Sequence, residues 1–126
     1  MPGRILIVDT VATNRIVLKA KMLAAQYVVD SCASKAEATA LIASNRPDLI
    51  LMNLSGTTEE QRRQCQELRR SSSAAPISII AVGVADTSKA RFAALDAGAD
   101  DVLPHPINDA LLLARIRSLL RVRSTS

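Results

Sequence analysis

The chain predicts a flavodoxin-like, doubly wound α/β fold: a five-stranded parallel sheet, strand order 2-1-3-4-5, with five helices on its two faces. Three observations lead there. Short runs of branched aliphatic residues recur along the 126 residues, and each is followed by a segment of helical apolar spacing. Strict strand–helix alternation demands parallel strands joined by right-handed crossovers, with helices covering both faces. The turn after the first run, Asp9-Thr10-Val11-Ala12-Thr13, contains no glycine. That removes the dinucleotide-binding alternative, which needs a glycine-rich turn there.

The elements follow in order. Ile5 to Val8 is an unbroken branched run, a buried strand ending at Asp9. From about Thr13 to Ala25 the spacing is helical, with Ile16, Ala20 and Leu23 predicted to form the buried face. Tyr27 to Cys32 alternates less cleanly and includes Asp30, which suits a strand near the sheet edge. Ser34-Lys35-Ala36-Glu37 has the form of a capping box, opening a helix buried through Ala38, Leu41 and Ile42. Pro47 stops that helix and leads into Leu49-Ile50-Leu51-Met52, a strand apolar on both faces that ends at Asn53. Thr57 to Glu60 is a second capping box. Only Cys65 and Leu68 recur at helical spacing behind it, so this helix is expected to be mostly exposed and weakly anchored.

Ser71 to Ala75 reads as a small-residue loop, and Ile77 to Val82 as the fourth strand. Asp86 or Thr87 caps the next helix, which carries Phe92 and Leu95 and has Gly98 placed as its C′ residue. Val102-Leu103 forms a short fifth strand closed by Pro104-His105-Pro106. Asn108 caps a last helix whose Leu112, Ile116 and Leu119 share one face.

Composition narrows the function classes. Length suits one domain with a single core, spanning 1–126. The net charge of +4 comes from basic residues scattered over several segments, and aromatics make up only 2%. Without rings to stack bases, a nucleic-acid partner is not indicated. Cys32 and Cys65 show no metal or redox spacing and read as buried thiols. No apolar run is long enough to cross a bilayer, and the start of the chain has no signal-peptide apolar region, so a cytoplasmic location is expected.

Open α/β sheets place their chemistry at the carboxyl ends of the strands. Here those ends carry Asp9 and Asn53. Together with the segments Arg4 to Asp9, Pro47 to Met52, Ala97-Gly98-Ala99-Asp100-Asp101 and the Pro106 turn, they resemble the receiver domain of two-component response regulators. The likeness covers essentially the whole chain. Asn14 and the last helix, Asn108 to Ser118, look most like receivers of the PleD type, which precede a diguanylate cyclase domain. The resemblance therefore implies an N-terminal piece of a longer response regulator. It implies phosphoryl transfer from a histidine kinase to an aspartate, with Mg²⁺ neutralising the transferred group.

Carried over residue by residue, that chemistry is mostly missing. The metal-holding acid pair after the first strand corresponds to Asp9 and Thr10, and the phosphoacceptor to Asn53. The hydroxyl position falls on Gly83, or on Ala81 by an alternative alignment. The phosphate-pairing lysine corresponds to His105, the loop after the acceptor reads Ser55-Gly56-Thr57, and the aromatic switch position is Val102. An amide is a poor nucleophile. One acid in place of three removes most of the charge that Mg²⁺ requires. A histidine carries only part of a charge near neutral pH. The resemblance thus implies a degenerate receiver, not itself an enzyme, with no cofactor and no metal unless Asp9 holds one.

Other readings of these residues stay open. Asp9 is either a metal ligand or a polar residue satisfied by loop N–H groups. His105 is either a pH sensor or a loop residue without a role. Ser55 or Thr57 could serve as a substitute acceptor, and the emptied pocket could take a small ligand. Interaction is expected instead with proteins: a second copy, or an adjacent receiver or output domain. The expected surface is formed by the fourth helix, fifth strand and last helix, where Asp96, Asp100 and Asp101 accompany Lys89, Arg91, Arg115 and Arg117. Arg121 and Arg123 extend the basic side of the last helix, as partner contacts or as a solvated face. The resemblance also implies a cis His105–Pro106 bond.

Overall fold

A computed structural model describes residues 3–72 and 76–125. Of the predicted loop at Ser71 to Ala75, positions 73–75 lie outside the described residues, as does the side chain of Arg123. The elements are β1 (Arg4–Val8), α1 (Ala12–Ala24), β2 (Val28–Cys32), α2 (Lys35–Asn45), β3 (Leu49–Asn53), α3 (Thr58–Ser71), β4 (Ser78–Val82), α4 (Ser88–Asp96), β5 (Asp101–Leu103) and α5 (Asp109–Thr125). All strand pairs are parallel, and the order is β2-β1-β3-β4-β5, as the alternation predicts.

Each strand divides its side chains between two cores because successive residues point to opposite faces. Ile5, Ile7, Leu49, Leu51, Ile80 and Val82 pack with Leu18 and Met22 of α1 and Leu112 and Ile116 of α5. Leu6, Ile50, Met52, Ile79 and Ala81 pack on the other side with α2, α3 and α4. Cys32 and Cys65 are buried and unpaired. Burial pushes both thiols up, Cys65 to about 11, so neither is a thiolate at neutral pH.

Three local expectations are corrected. In α1, Ile16, Ala20 and Leu23 face outward, and Leu18 and Met22 fill the core. This helix is apolar on most sides, so periodicity alone admits two phases. The entry turn at Asp9–Val11 and the exit at Gln26, with φ of 71°, decide between them. In α4, Phe92 is 66% exposed and Leu95 45%, while Ala90 and Ala94 meet the core and let the helix sit close to the sheet.

The third correction concerns α3. It is capped as predicted, with Thr57 and Glu60 completing the box. Its attachment is far from weak. Besides Cys65 and Leu68, Arg69 donates to the carbonyls of Ile77 (2.6 Å) and Gly98 (2.8 and 3.0 Å) and to Asp100 Oδ2 (2.6 Å). A single long cation thus holds α3 to the start of β4 and to the α4–β5 loop. At α2, Ser34 caps the N–H of Glu37, but the glutamate returns to the serine hydroxyl and not to its backbone.

Candidate functional site

Register builds the site. Val8 pairs with Met52, which sets Asp9 beside Asn53 at the carboxyl end of the sheet. Asn53 pairs with Val82, and Val82 with Leu103, so Gly83 and the turn holding His105 follow on the same rim. Two further bonds extend the ladder past the strands: Leu54 N–H to Val82 O at 2.9 Å and Gly83 N–H to Leu103 O at 3.1 Å. Asp9, Asn53, Gly83 and His105 therefore converge, although the chain separates them widely.

Asp9 is 3% exposed, and both of its carboxylate oxygens receive N–H groups. Oδ1 accepts from Val11 N at 2.8 Å, and Oδ2 accepts from Asn53 Nδ2 at 3.0 Å. Arg15 donates to the Asp9 carbonyl at 2.7 Å. A buried carboxylate is costly without partners, and these donors supply them. The amide of Asn53 presents its N–H to the one acid that a cation would need. Thr10 is exposed, and among the described residues no cluster of three metal-ligating side chains forms. These residues do not fit Mg²⁺.

Gly83 lies at φ +83°, in the left-handed region that favours glycine. A Cβ there would overlap Asn53 Oδ1 and stand 3.0 Å from His105 Nε2. Ala81, the alternative position, is instead fully buried in the core on the α2–α4 side. The missing hydroxyl is thus bound up with a backbone conformation that threonine or serine adopts only under strain. The His105–Pro106 bond is cis. Ser55 and Thr57 belong to a loop folded back on α3: Gln64 bonds the backbone of Ser55 at both N–H and carbonyl, and Thr57 serves as the helix cap. Val102 is buried.

The response regulator receiver domain family matches residues 5–117. The chain belongs to this family. It is 38% identical to the response regulator MprA of Mycobacterium sp. (strain KMS), over 96% of this chain and 52% of that protein. It is 32% identical to the response regulator PleD of Caulobacter vibrioides, over 98% of this chain and 27% of that protein. The receiver thus spans about half the length of the first regulator and about a quarter of the second. Among solved structures, a two-component response regulator from Clostridium difficile superposes with a TM-score of 0.82 at 26% identity, covering 94% of this chain and 96% of that one. A CheY-like receiver domain from Methanospirillum hungatei gives 0.82 at 23% identity over the full length of both, a likeness of fold.

The expected interaction surface is only partly assembled in this receiver. β5 is one of the two edge strands, and α4 and α5 precede and follow it. Arg115 of α5 pairs with Asp101 of β5 at 3.3 Å, and Arg91 of α4 pairs with Asp86 in the segment leading into that helix. Asp96 and Asp100 turn the other way, to Arg62 and Arg69 of α3. Lys89 and Arg117 are exposed, and so are Phe92, Leu95 and Leu111 on the same two helices. Sequence reasoning missed Arg69. Its role depends on a glycine and an aspartate about thirty residues away, and no local pattern signals that. Among the described residues no helix is long and apolar enough to cross a membrane.

Proposed function

We propose that this receiver is phosphorylation-incompetent and acts by protein–protein contact, controlling an output domain elsewhere in a longer regulator. The observation that carries the reading is the Asn53–Asp9 hydrogen bond. It sets an amide where a nucleophilic carboxylate would act and engages Asp9, the acid at the end of β1. A phosphoryl group arriving here would find no acceptor, no divalent cation and no permanent cation at His105. The likeness to PleD supports a diguanylate cyclase as the output domain. Receivers contact kinases and output domains, and we place the contact of this one on α4, β5 and α5.

That surface offers Phe92, Leu95 and Leu111 as apolar contacts among the cations Lys89, Arg115 and Arg117. Rim ion pairs contribute about 0–1 kcal/mol each, so the apolar groups supply most of the affinity. Pairing with a second copy requires Asp101 to exchange its own Arg115 for the partner's. Self-association is accordingly weak in the isolated domain and rises when a tethered neighbour increases the effective concentration.

Acetyl phosphate with Mg²⁺ tests the chemistry. Intact mass should show no phosphoryl adduct, and an adduct on any residue overturns the reading. For the contact, sedimentation of Arg115→Glu/Arg117→Glu should show weakened association, restored in part by Asp101→Lys in the same chain. Unchanged association excludes this surface.

A further inference from the structure

Beside the Asp9–Asn53 pair lies a cavity of about 250 Å³ on the α1 side of the rim. It opens between α1 and the β5–α5 turn, and neither Asn53 nor Gly83 lines it. Its apolar walls are Val17 and Leu18 from α1, Val82 from β4, and Pro106 and Ile107 from the β5–α5 turn. Four polar side chains line it as well: Asp9, Asn14, Lys21 and His105. The Asn14 and His105 side chains have no hydrogen-bond partner among the described residues. An apolar hollow with a few convergent polar groups is the usual form of a small-molecule site.

Charge selects the class of ligand. The lining cation is Lys21, already neutralised by Asp109 at 3.0 Å, a bridge that ties α1 to α5 at the mouth. Arg15 is turned to the carbonyl of Asp9 and does not line the cavity. The remaining charge is the Asp9 carboxylate. Each of its oxygens accepts one N–H, which leaves lone pairs for a further donor. An anionic head would meet a buried like charge with no free cation to offset it. A cationic head would be held by Asp9 and by the acceptors of Asn14 and His105. Size sets the body: about 150 Å³ accommodates a benzene ring, so this volume takes one ring with a short chain.

We propose that this cavity binds a small monocationic amine with an apolar body of one ring or an equivalent aliphatic chain. The amine would sit against Asp9 and its body against Val17, Val82 and Ile107. The site goes beyond the interaction role proposed above and does not rest on phosphorylation incompetence.

Titration of the ¹⁵N-labelled chain with 2-phenylethylamine tests it, with phenylacetate, benzyl alcohol and MgCl₂ at matched ionic strength as parallel arms. The amine should move the amides of Asn14, Val17, Val82 and Ile107 saturably, whereas phenylacetate and MgCl₂ should leave them in place. Benzyl alcohol should bind roughly tenfold or more weakly, as expected when a charge-assisted bond of about 1.4 kcal/mol or more is absent. Asp9→Asn should weaken the amine by a similar factor, and Asn14→Leu by less. Because Asp9→Asn disturbs a buried pair, retained spectral dispersion is required of it; if it unfolds, the amine-against-phenylacetate comparison on the unaltered chain decides. Equal binding of phenylacetate, equal shifts with Mg²⁺, shifts elsewhere on the surface, or no saturable shift with the amine overturns the proposal.

Discussion

At the carboxyl end of the sheet, a glycine at φ +83° sits against Asn53, whose amide donates to a buried aspartate. At the amino end, a glycine at φ +124° sits against Arg69, whose guanidinium donates to another aspartate. Both corners thus join a left-handed glycine, a long polar side chain and a carboxylate. They differ in charge and in reach. Arg69 satisfies two backbone carbonyls and Asp100, and Asp100 in turn accepts from Ile79 N at 2.7 Å. That network ties three segments together with its charge balanced. Among the described residues the Asn53 side chain bonds Asp9, and it brings no charge to balance that acid. The first corner is built to hold the fold. The second gathers its groups at the strand ends, and changes there should cost less stability than loss of the Arg69 network.

The largest test of this contrast is Arg69→Ala. It removes charge-assisted bonds to carbonyls that a smaller side chain cannot reach, each contributing about 1.5–3 kcal/mol when protected from solvent. With the side chain a third exposed, we expect a net loss of roughly 3 kcal/mol in urea unfolding. Arg69→Lys should recover less than half of it, because an ammonium lacks the planar fork. A loss below about 1 kcal/mol would show that α3 is held by its apolar contacts alone.

Next comes Gly83→Thr, the change that restores a hydroxyl at the rim. A β-branched residue at this positive φ costs about 1–3 kcal/mol, and its Cβ meets Asn53 as well. Thermal unfolding should fall accordingly, and Asn53→Ala in the same chain should relieve the steric part but not the backbone part. A Gly83→Thr variant as stable as the parent would mean that the turn relaxes freely.

Asn53→Asp should cost less, about 1–2 kcal/mol near neutral pH, by setting a second carboxylate at hydrogen-bond distance from Asp9. Its sign with pH is specific. Repulsion raises the folded-state pKa of the coupled acids, so the penalty is present above that raised value and disappears as pH falls through it. Unfolding of variant and parent should therefore converge on acidification, and added Mg²⁺ should not restore the variant at neutral pH. A constant difference across pH would exclude repulsion as the cause.

The smallest effect lies in the α3 cap. The Thr57 backbone N–H and then its hydroxyl hold Glu60 below the usual carboxylate range. A depressed folded-state pKa stabilises above the ordinary carboxylate pKa, and the contribution is lost as pH falls through the depressed value. Protection factors of amides in the first turn of α3, corrected for the intrinsic exchange rate, should therefore fall in acid, and in Glu60→Ala that pH dependence should vanish.

Much of this receiver was legible in the sequence. Five strands, their alternation with helices, the caps at Ser34, Thr57, Thr87 and Asn108, and the rim residues Asp9 and Asn53 all follow from local periodicity and side-chain chemistry. These depend on neighbours within one or two turns, and such interactions are written in contiguous residues. The phase of α1, the outward turn of Phe92 and the Arg69 hub were decided by the tertiary structure. Each depends on which of several acceptable faces or partners a distant segment presents. The same holds for the direction of Asp96 and Asp100, drawn to α3 by Arg62 and Arg69 and away from the surface their sequence position suggests. Identity at position 53 determined that an amide, and not a carboxylate, ends β3. Only the packing of four strand ends determined what the amide does instead: donate its proton to Asp9, against a glycine that leaves it room.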